Sequence, residues 1–248
     1  MPLKALCAWK LQRMGSGWST QAGAVSFLVQ RGCLSWRVIV SSIDENSREL
    51  GFQVSVIELP RQFEKVNLVQ EFMRFRKKVF VDRMAWPLYH MDDVEFEQYD
   101  TIDTTYVIAH SDSQVLGGAR LKRTDATLGT GRVVYTYMIR DAHLGILPGM
   151  PATLCSSPPP IDPNVWELTR LAAVSDPPGV AEEILRESNK HLFAIGATSC
   201  LFLGPPAFMR MARRLGWMPE PMGPIVGNDD GRFLAFKCGV LHPCLVAS

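Results

Sequence analysis

Arginines, carboxylates and aromatic residues recur in three short blocks of this chain. FRKKVFVDRMAW (Phe75 to Trp86) contributes Arg76, Phe80 and Trp86. VEFEQYD (Val94 to Asp100), taken with GGARL (Gly117 to Leu121), contributes Glu95, Glu97, Asp100 and Arg120. WELTRL (Trp166 to Leu171) contributes Glu167 and Arg170. A carboxylate can act as a general base directly or through water. Several together suit a cationic ligand, which an aromatic face can also meet. Arginine forks hold carboxylates in paired hydrogen bonds, and matched charges can sit partly buried where unmatched ones cannot. Taken singly, each residue has a plainer reading. Phe80 and Trp86 suit a core, and Arg76 beside Lys77 and Lys78 suits a solvated basic face.

The surrounding pattern predicts the elements that carry these groups. Val54 to Leu59 alternates apolar and polar residues as a strand does. Arg61 to Phe80 repeats Phe63, Val66, Val69, Phe72 and Val79 at helical spacing, with Arg76 and Phe80 one turn apart on one face. Asp82 to Asp103 has no sustained period and reads as a structured loop over a site. Thr105 to His110 and Val115 to Lys122 read as a hairpin, and Thr124 to Pro163 as an irregular excursion punctuated by prolines. Val165 to Val174, Thr198 to Leu203 and Arg232 to Val240 are further strands. Val180 to Ile195 is an amphipathic helix, and Ala207 to Leu215 a short basic helix stopped at Gly216. Strands mixed with a few helices give an α/β or α+β layered sheet.

Composition narrows the class. The chain has 248 residues, 47% hydrophobic and 21% charged, enough for one real core. A net charge of +1 argues against a strong nucleic-acid field. Six scattered cysteines show no metal-ligand spacing and read as free thiols in a reducing cytoplasm. No apolar run reaches the length of about 20 residues that a membrane span needs. Met1 to Ile43 lacks acids but carries Lys4, Lys10, Arg13, Arg31 and Arg37. Such an acid-poor, basic lead superficially resembles an organelle transit peptide. The preferred reading, because the stretch that resembles a known family begins near Val54, is an N-terminal extension at 1–52, poorly ordered or from an upstream start codon, before a domain at 53–248.

In this order and spacing, the blocks resemble the acyl-homoserine-lactone synthases, the autoinducer synthases of bacterial quorum sensing, from about Val54 to about Val240. The resemblance implies a three-layer αβα sandwich like that of the GCN5-related N-acetyltransferases. It implies acyl transfer from a thioester, on acyl carrier protein or coenzyme A, to the α-amine of S-adenosylmethionine. Lactone closure then releases methylthioadenosine. Both substrates are consumed, and no metal, flavin or nicotinamide cofactor is implied. By position, Glu167 matches the proposed base and acts with Arg120, Asp100 and Arg170. Arg76, Phe80, Trp86, Glu95 and Glu97 would bind S-adenosylmethionine.

Further expectations follow from the same resemblance. Arg210, Arg213 and Arg214 would dock the acidic carrier, with a solvated basic face as the plainer reading. Leu201, Phe202, Leu203, Phe208 and Met211 are candidates for the acyl lining. Gly204 and Pro205 stand where members preferring a 3-oxo chain carry Thr, so a 3-oxo substrate is disfavoured. Glu97 departs from the family's Asp and pushes its carboxylate outward by roughly 1.5 Å. Two alternatives stay open: another N-acyltransferase of this fold using acyl-coenzyme A, and a non-catalytic S-adenosylmethionine-binding regulatory module.

Overall fold

The computed structural model describes residues 51–246 apart from 113, 133, 148, 229 and 230. Residues 1–50 of the expected extension lie outside the described residues, while Phe52 is buried in the core. A single large sheet organises the rest. Its strands are β1 (Gln53–Glu58), β4 (Thr105–His110), β5 (Val115–Arg123), β6 (Val165–Ala173), β7 (Ser199–Gly204), β10 (Gly231–Gly239) and β8 (Glu220–Pro221), in that spatial order. β9 (Val226–Asn228) pairs beside β10. All neighbours are antiparallel except β6 and β7, which run parallel. A separate ribbon joins β2 (His90–Met91) to β3 (Val94–Glu95).

Alternation along the strands sorts side chains onto two faces. One face sends Val107, Ala119, Leu121, Trp166, Leu168, Phe202 and Phe236 against α3 (Val180–Ala194) and α4 (Pro206–Arg214). On the other face, α1 (Val66–Arg76) packs Val69 and Phe72 against Ile57, Tyr106 and Ile108. Gly118 makes that approach possible, because a Cβ there would lie 2.7 Å from the Phe72 ring. The result is the three-layer αβα sandwich.

Two elements depart from the sequence reading. The helix expected to run to Phe80 changes winding after Arg76, and Lys77–Arg83 forms a π-helix. Such local widening recurs at functional sites, and here it leads into the turn that brings Trp86 back over Phe80. The irregular excursion contains a short helix, α2 (Met138–His143). Tyr137, Met138, Ile139, Ala142, Leu154 and Cys155 pack under it against Val165, Leu201, Leu203, Phe233 and Ala235. The excursion is thus part of the core on the face carrying Glu167.

Candidate active site

β5 and β6 project Arg120, Lys122, Glu167 and Thr169 onto the same face of the sheet, since residues two apart share a face and register pairs Arg120 with Thr169 and Lys122 with Glu167. Arg170 should then point the opposite way, beside Leu168. A β-bulge prevents this. Gly118 pairs with Ala172 and Arg120 with Thr169, leaving Arg170 and Leu171 opposite Ala119 alone. Arg170 adopts a left-handed conformation at φ 55°, rare for a residue with a side chain. The bulge turns its guanidinium to the site face, 5.7 Å from the Phe80 ring.

Three arginines and three carboxylates then close a ring. Arg76 donates through Nε to Glu95 at 2.5 Å, and through Nη1 and Nη2 to Asp100 at 2.7 and 2.9 Å. Arg120 lies 3.0 Å from Asp100 and donates to Glu97 at 2.6 Å. Arg170 donates to Glu97 at 2.5 Å and to Glu95 at 3.3 Å. Each arginine thus holds two carboxylates and each carboxylate two arginines, with formal charge cancelling. That cancellation lets the ring be buried, because an unmatched charge there would cost several kcal/mol, on the order of 3–5. Glu97 is its most exposed member, with 13% of its side chain accessible. The longer side chain spans from Arg120 to Arg170. Burial pushes the pKa of Glu97 up, but Arg170 and Arg120 outweigh that and leave it lowered. For Asp100 the same opposition, with Arg76 and Arg120 prevailing, holds the carboxyl below its usual range.

Glu167 stands outside the ring. Its carboxylate is held by backbone. Its two oxygens accept from the N–H of Ile139 at 2.8 Å and of Met138 at 3.0 Å, in the first turn of α2. Burial raises its pKa to about 7, against the opposing pull of the Ile139 and Met138 amides and of Arg120. A buried carboxylate near 7 is poised to exchange a proton at neutral pH.

Phe80 and Trp86 stack at 5.1 Å with 8° between planes, and both are buried with Leu88 and Ala172. All nine residues predicted from the three blocks therefore converge. Sequence reading missed Lys122, Thr169, Tyr99, Tyr106 and Asp141. Lys122 holds Thr101 at 2.8 Å and Asp103 at 3.0 Å, and Thr169 accepts from Arg120 at 3.1 Å. Each lies two residues along a strand from a predicted residue, a signal that was available. Tyr106 donates to Asp100 at 2.9 Å. Arg210, Arg213 and Arg214 lie elsewhere, exposed on α4, on the opposite layer from Glu167; Arg214 is 3.6 Å from Glu182. The acyl candidates divide the same way. Leu201 and Leu203 share the Glu167 face, whereas in the other core Phe202 stacks on Phe236 and Phe208 meets it edge to face.

An acid–base carboxylate beside this ring, in this sandwich, suits an acyltransferase, and comparison with known proteins makes the class definite. Residues 61–173 match the autoinducer synthase family. The acyl-homoserine-lactone synthase of Pseudomonas aeruginosa is 33% identical over 162 residues, covering 63% of this chain and 72% of that protein. That of Acinetobacter nosocomialis is 31% identical over 183 residues, covering 69% and 90%. The crystal structure of TofI in a ternary complex with an inhibitor and MTA superposes with a TM-score of 0.62 at 25% identity, covering 78% of this chain and 99% of that one. The chain belongs to the autoinducer synthase family. It is an acyltransferase of the acyl-homoserine-lactone synthase type.

Proposed function

We propose that the chain joins an acyl thioester to the α-amine of S-adenosylmethionine with Glu167 as general base. The observation that carries this reading is the separation of Glu167, amide-held with a pKa near 7, from the three carboxylates neutralised in the ring. An α-amine of pKa about 7.7–8.0 needs only such a base. Once deprotonated, the amine attacks the thioester carbonyl. A C–N bond forms, the C–S bond breaks, and the thiol leaves with a proton. The substrate carboxylate then closes on its γ-carbon and expels methylthioadenosine. Glu97, the ring's accessible edge, faces the ammonium and sulfonium. Arg170 Nε, a buried donor with no hydrogen-bond partner among the described residues, suits the substrate carboxylate, while Arg120 Nη1 is ion-paired with Asp100 at 3.0 Å. Arg76, fully buried, holds Glu95 and Asp100 in place from behind.

The acyl donor would enter through the sheet. β6 and β7 pair from Val165–Ser199 to Leu168–Phe202, and that pairing ends before either strand does, which would leave an opening beyond it. Ligands favour such openings at the carboxyl ends of parallel strands. A thioester arm entering from the α4 side would reach Glu167 there, with its carrier on Arg210, Arg213 and Arg214. The donor is acyl carrier protein or acyl-coenzyme A; one related structure is described as that of a CoA-dependent synthase bound to SAM and isopentyl-CoA. At Gly204, a Cβ would lie 2.7 Å from the Phe208 ring, so no hydroxyl is offered for a 3-oxo group. The test is mass spectrometry of products from purified protein, S-adenosylmethionine and an acyl thioester. Methylthioadenosine with an N-acyl-homoserine lactone is expected, whereas S-adenosylhomocysteine would mean methyl transfer and sink the reading.

A further inference from the structure

Asp141 is fully buried and joins the two halves of the site. Its carboxylate accepts from Thr136 N–H at 3.0 and 3.1 Å and from Thr136 Oγ1 at 2.6 Å, fastening the residues that lead into α2. The same carboxylate accepts from Tyr99 Oη at 2.8 Å. Tyr99 precedes Asp100 on the acidic loop, and its ring lies 5.5 Å from the Arg120 guanidinium. One side chain therefore fixes the loop of Glu95, Glu97 and Asp100 relative to the Met138 and Ile139 amides that hold Glu167. The start of α2 has no side-chain cap of its own, so this clamp sets where those amides sit.

We propose that Asp141 is a positioning residue for the acyl transfer, aligning Glu167 with the amine held by the acidic loop. The inference rests on Glu167 being the base. A misplacement of about 1 Å between base and amine costs on the order of 100-fold in rate, which is ample reason to clamp the two halves. The groups facing Glu167 are Arg120 and its cross-strand neighbour Lys122 on β5, Asp141 on α2, Tyr99 on the loop, and Tyr137 and Cys155 in the excursion, while Cys200 on β7 acts on it from the opposite face of the sheet.

The experiment measures methylthioadenosine release by the full chain carrying Asp141→Ala, Asp141→Asn or Glu167→Gln. Asp141→Ala should lower kcat by about 10- to 100-fold, the scale seen when a group orienting a functional side chain is lost, with the KM for S-adenosylmethionine within about threefold. Asp141→Asn keeps an acceptor for Thr136, and its amide can donate to Tyr99. It should recover most of the rate, with the acid limb of kcat moved to lower pH because a like charge beside Glu167 is gone. Wild-type kcat in Asp141→Ala would overturn the inference, as would equal impairment of both Asp141 variants with an unmoved limb. Should the alanine variant fail to fold, the asparagine limb decides alone. A fully active Glu167→Gln removes the base reading and the inference with it. An inactive Glu167→Gln beside unaffected Asp141 variants removes the inference only.

Discussion

Two carboxylates of the same type serve opposite ends here, and their surroundings separate them. Glu97 lies between two guanidinium groups and stays ionised; Glu167 lies between amides and apolar residues and titrates near neutrality. In wild type, kcat should therefore fall on the acid side with an apparent pKa near 7, the value to which burial raises Glu167. Glu167→Gln should lower kcat by about 100-fold or more while circular dichroism remains native. A folded, fast variant would take Glu167 out of the chemistry. Glu97→Asp restores the family's usual residue but shortens the bridge by one methylene. One arginine contact should open, lowering the free energy of unfolding in urea by about 1.5–3 kcal/mol, the worth of a charged hydrogen bond.

Among the elements, the bulge in β6 is the one that assembles the ring. Alternation alone would bury Arg170 against α3, and the extra residue brings it to Glu95 and Glu97. Its left-handed backbone makes a specific claim. Arg170→Ala and Arg170→Gly both remove the ion pairs, but glycine escapes the left-handed penalty of about 1–2 kcal/mol. Denaturant titration should find the glycine variant more stable by about 1 kcal/mol, although both lose activity. Equal stabilities would mean that the backbone there is not left-handed in solution. The π-wound turn has a similar role on the other side, since a straight continuation of α1 would not return Trp86 onto Phe80.

For the whole molecule, the charge ring ties stability to pH. The depressed carboxyls of Asp100 and Glu97 stabilise the fold above their unfolded values of about 4, and that contribution is lost as pH falls. Glu167 has the opposite sign. Its raised value favours the folded protein below about 4.5 and costs stability as pH rises from there to about 7. Urea midpoints taken across pH should drop sharply below pH 4 in wild type. Asp100→Asn, less stable at neutrality, should show a shallower drop. Docking acts at the same scale. If the carrier docks on this helix as proposed, reversing Arg210 and Arg214 to Glu should raise the KM for acyl carrier protein, and the penalty should shrink with salt, as exposed charges are screened within about 8–10 Å. S-adenosylmethionine affinity should stay unchanged, because its proposed site lies on the other layer. No change in the carrier KM would move the docking surface elsewhere. Among the described residues, no helix is long and apolar enough to cross a membrane.

Much of the fold was legible because its signals are local. Period-two strands, the α3 helix and the hairpin of β4 and β5 follow from alternation and spacing within a few residues, and all lie where those patterns predict. The family, and the nine residues that the fold brings together, were legible from motif order. Ring connectivity was not, since six charges allow many pairings and only packing selects which arginine meets which carboxylate. Nor was the isolation of Glu167: its partners are backbone amides 28 and 29 residues away, and an amide carries no residue identity to read. The short helix that supplies them lies among prolines and glycines in an excursion with no period of its own. It exists because Leu201, Leu203 and Phe233 give its apolar residues a surface to cover. The bulge at Arg170 was hidden for the same reason, because WELTRL reads as unbroken alternation until β5 pairs against it and one residue is left over.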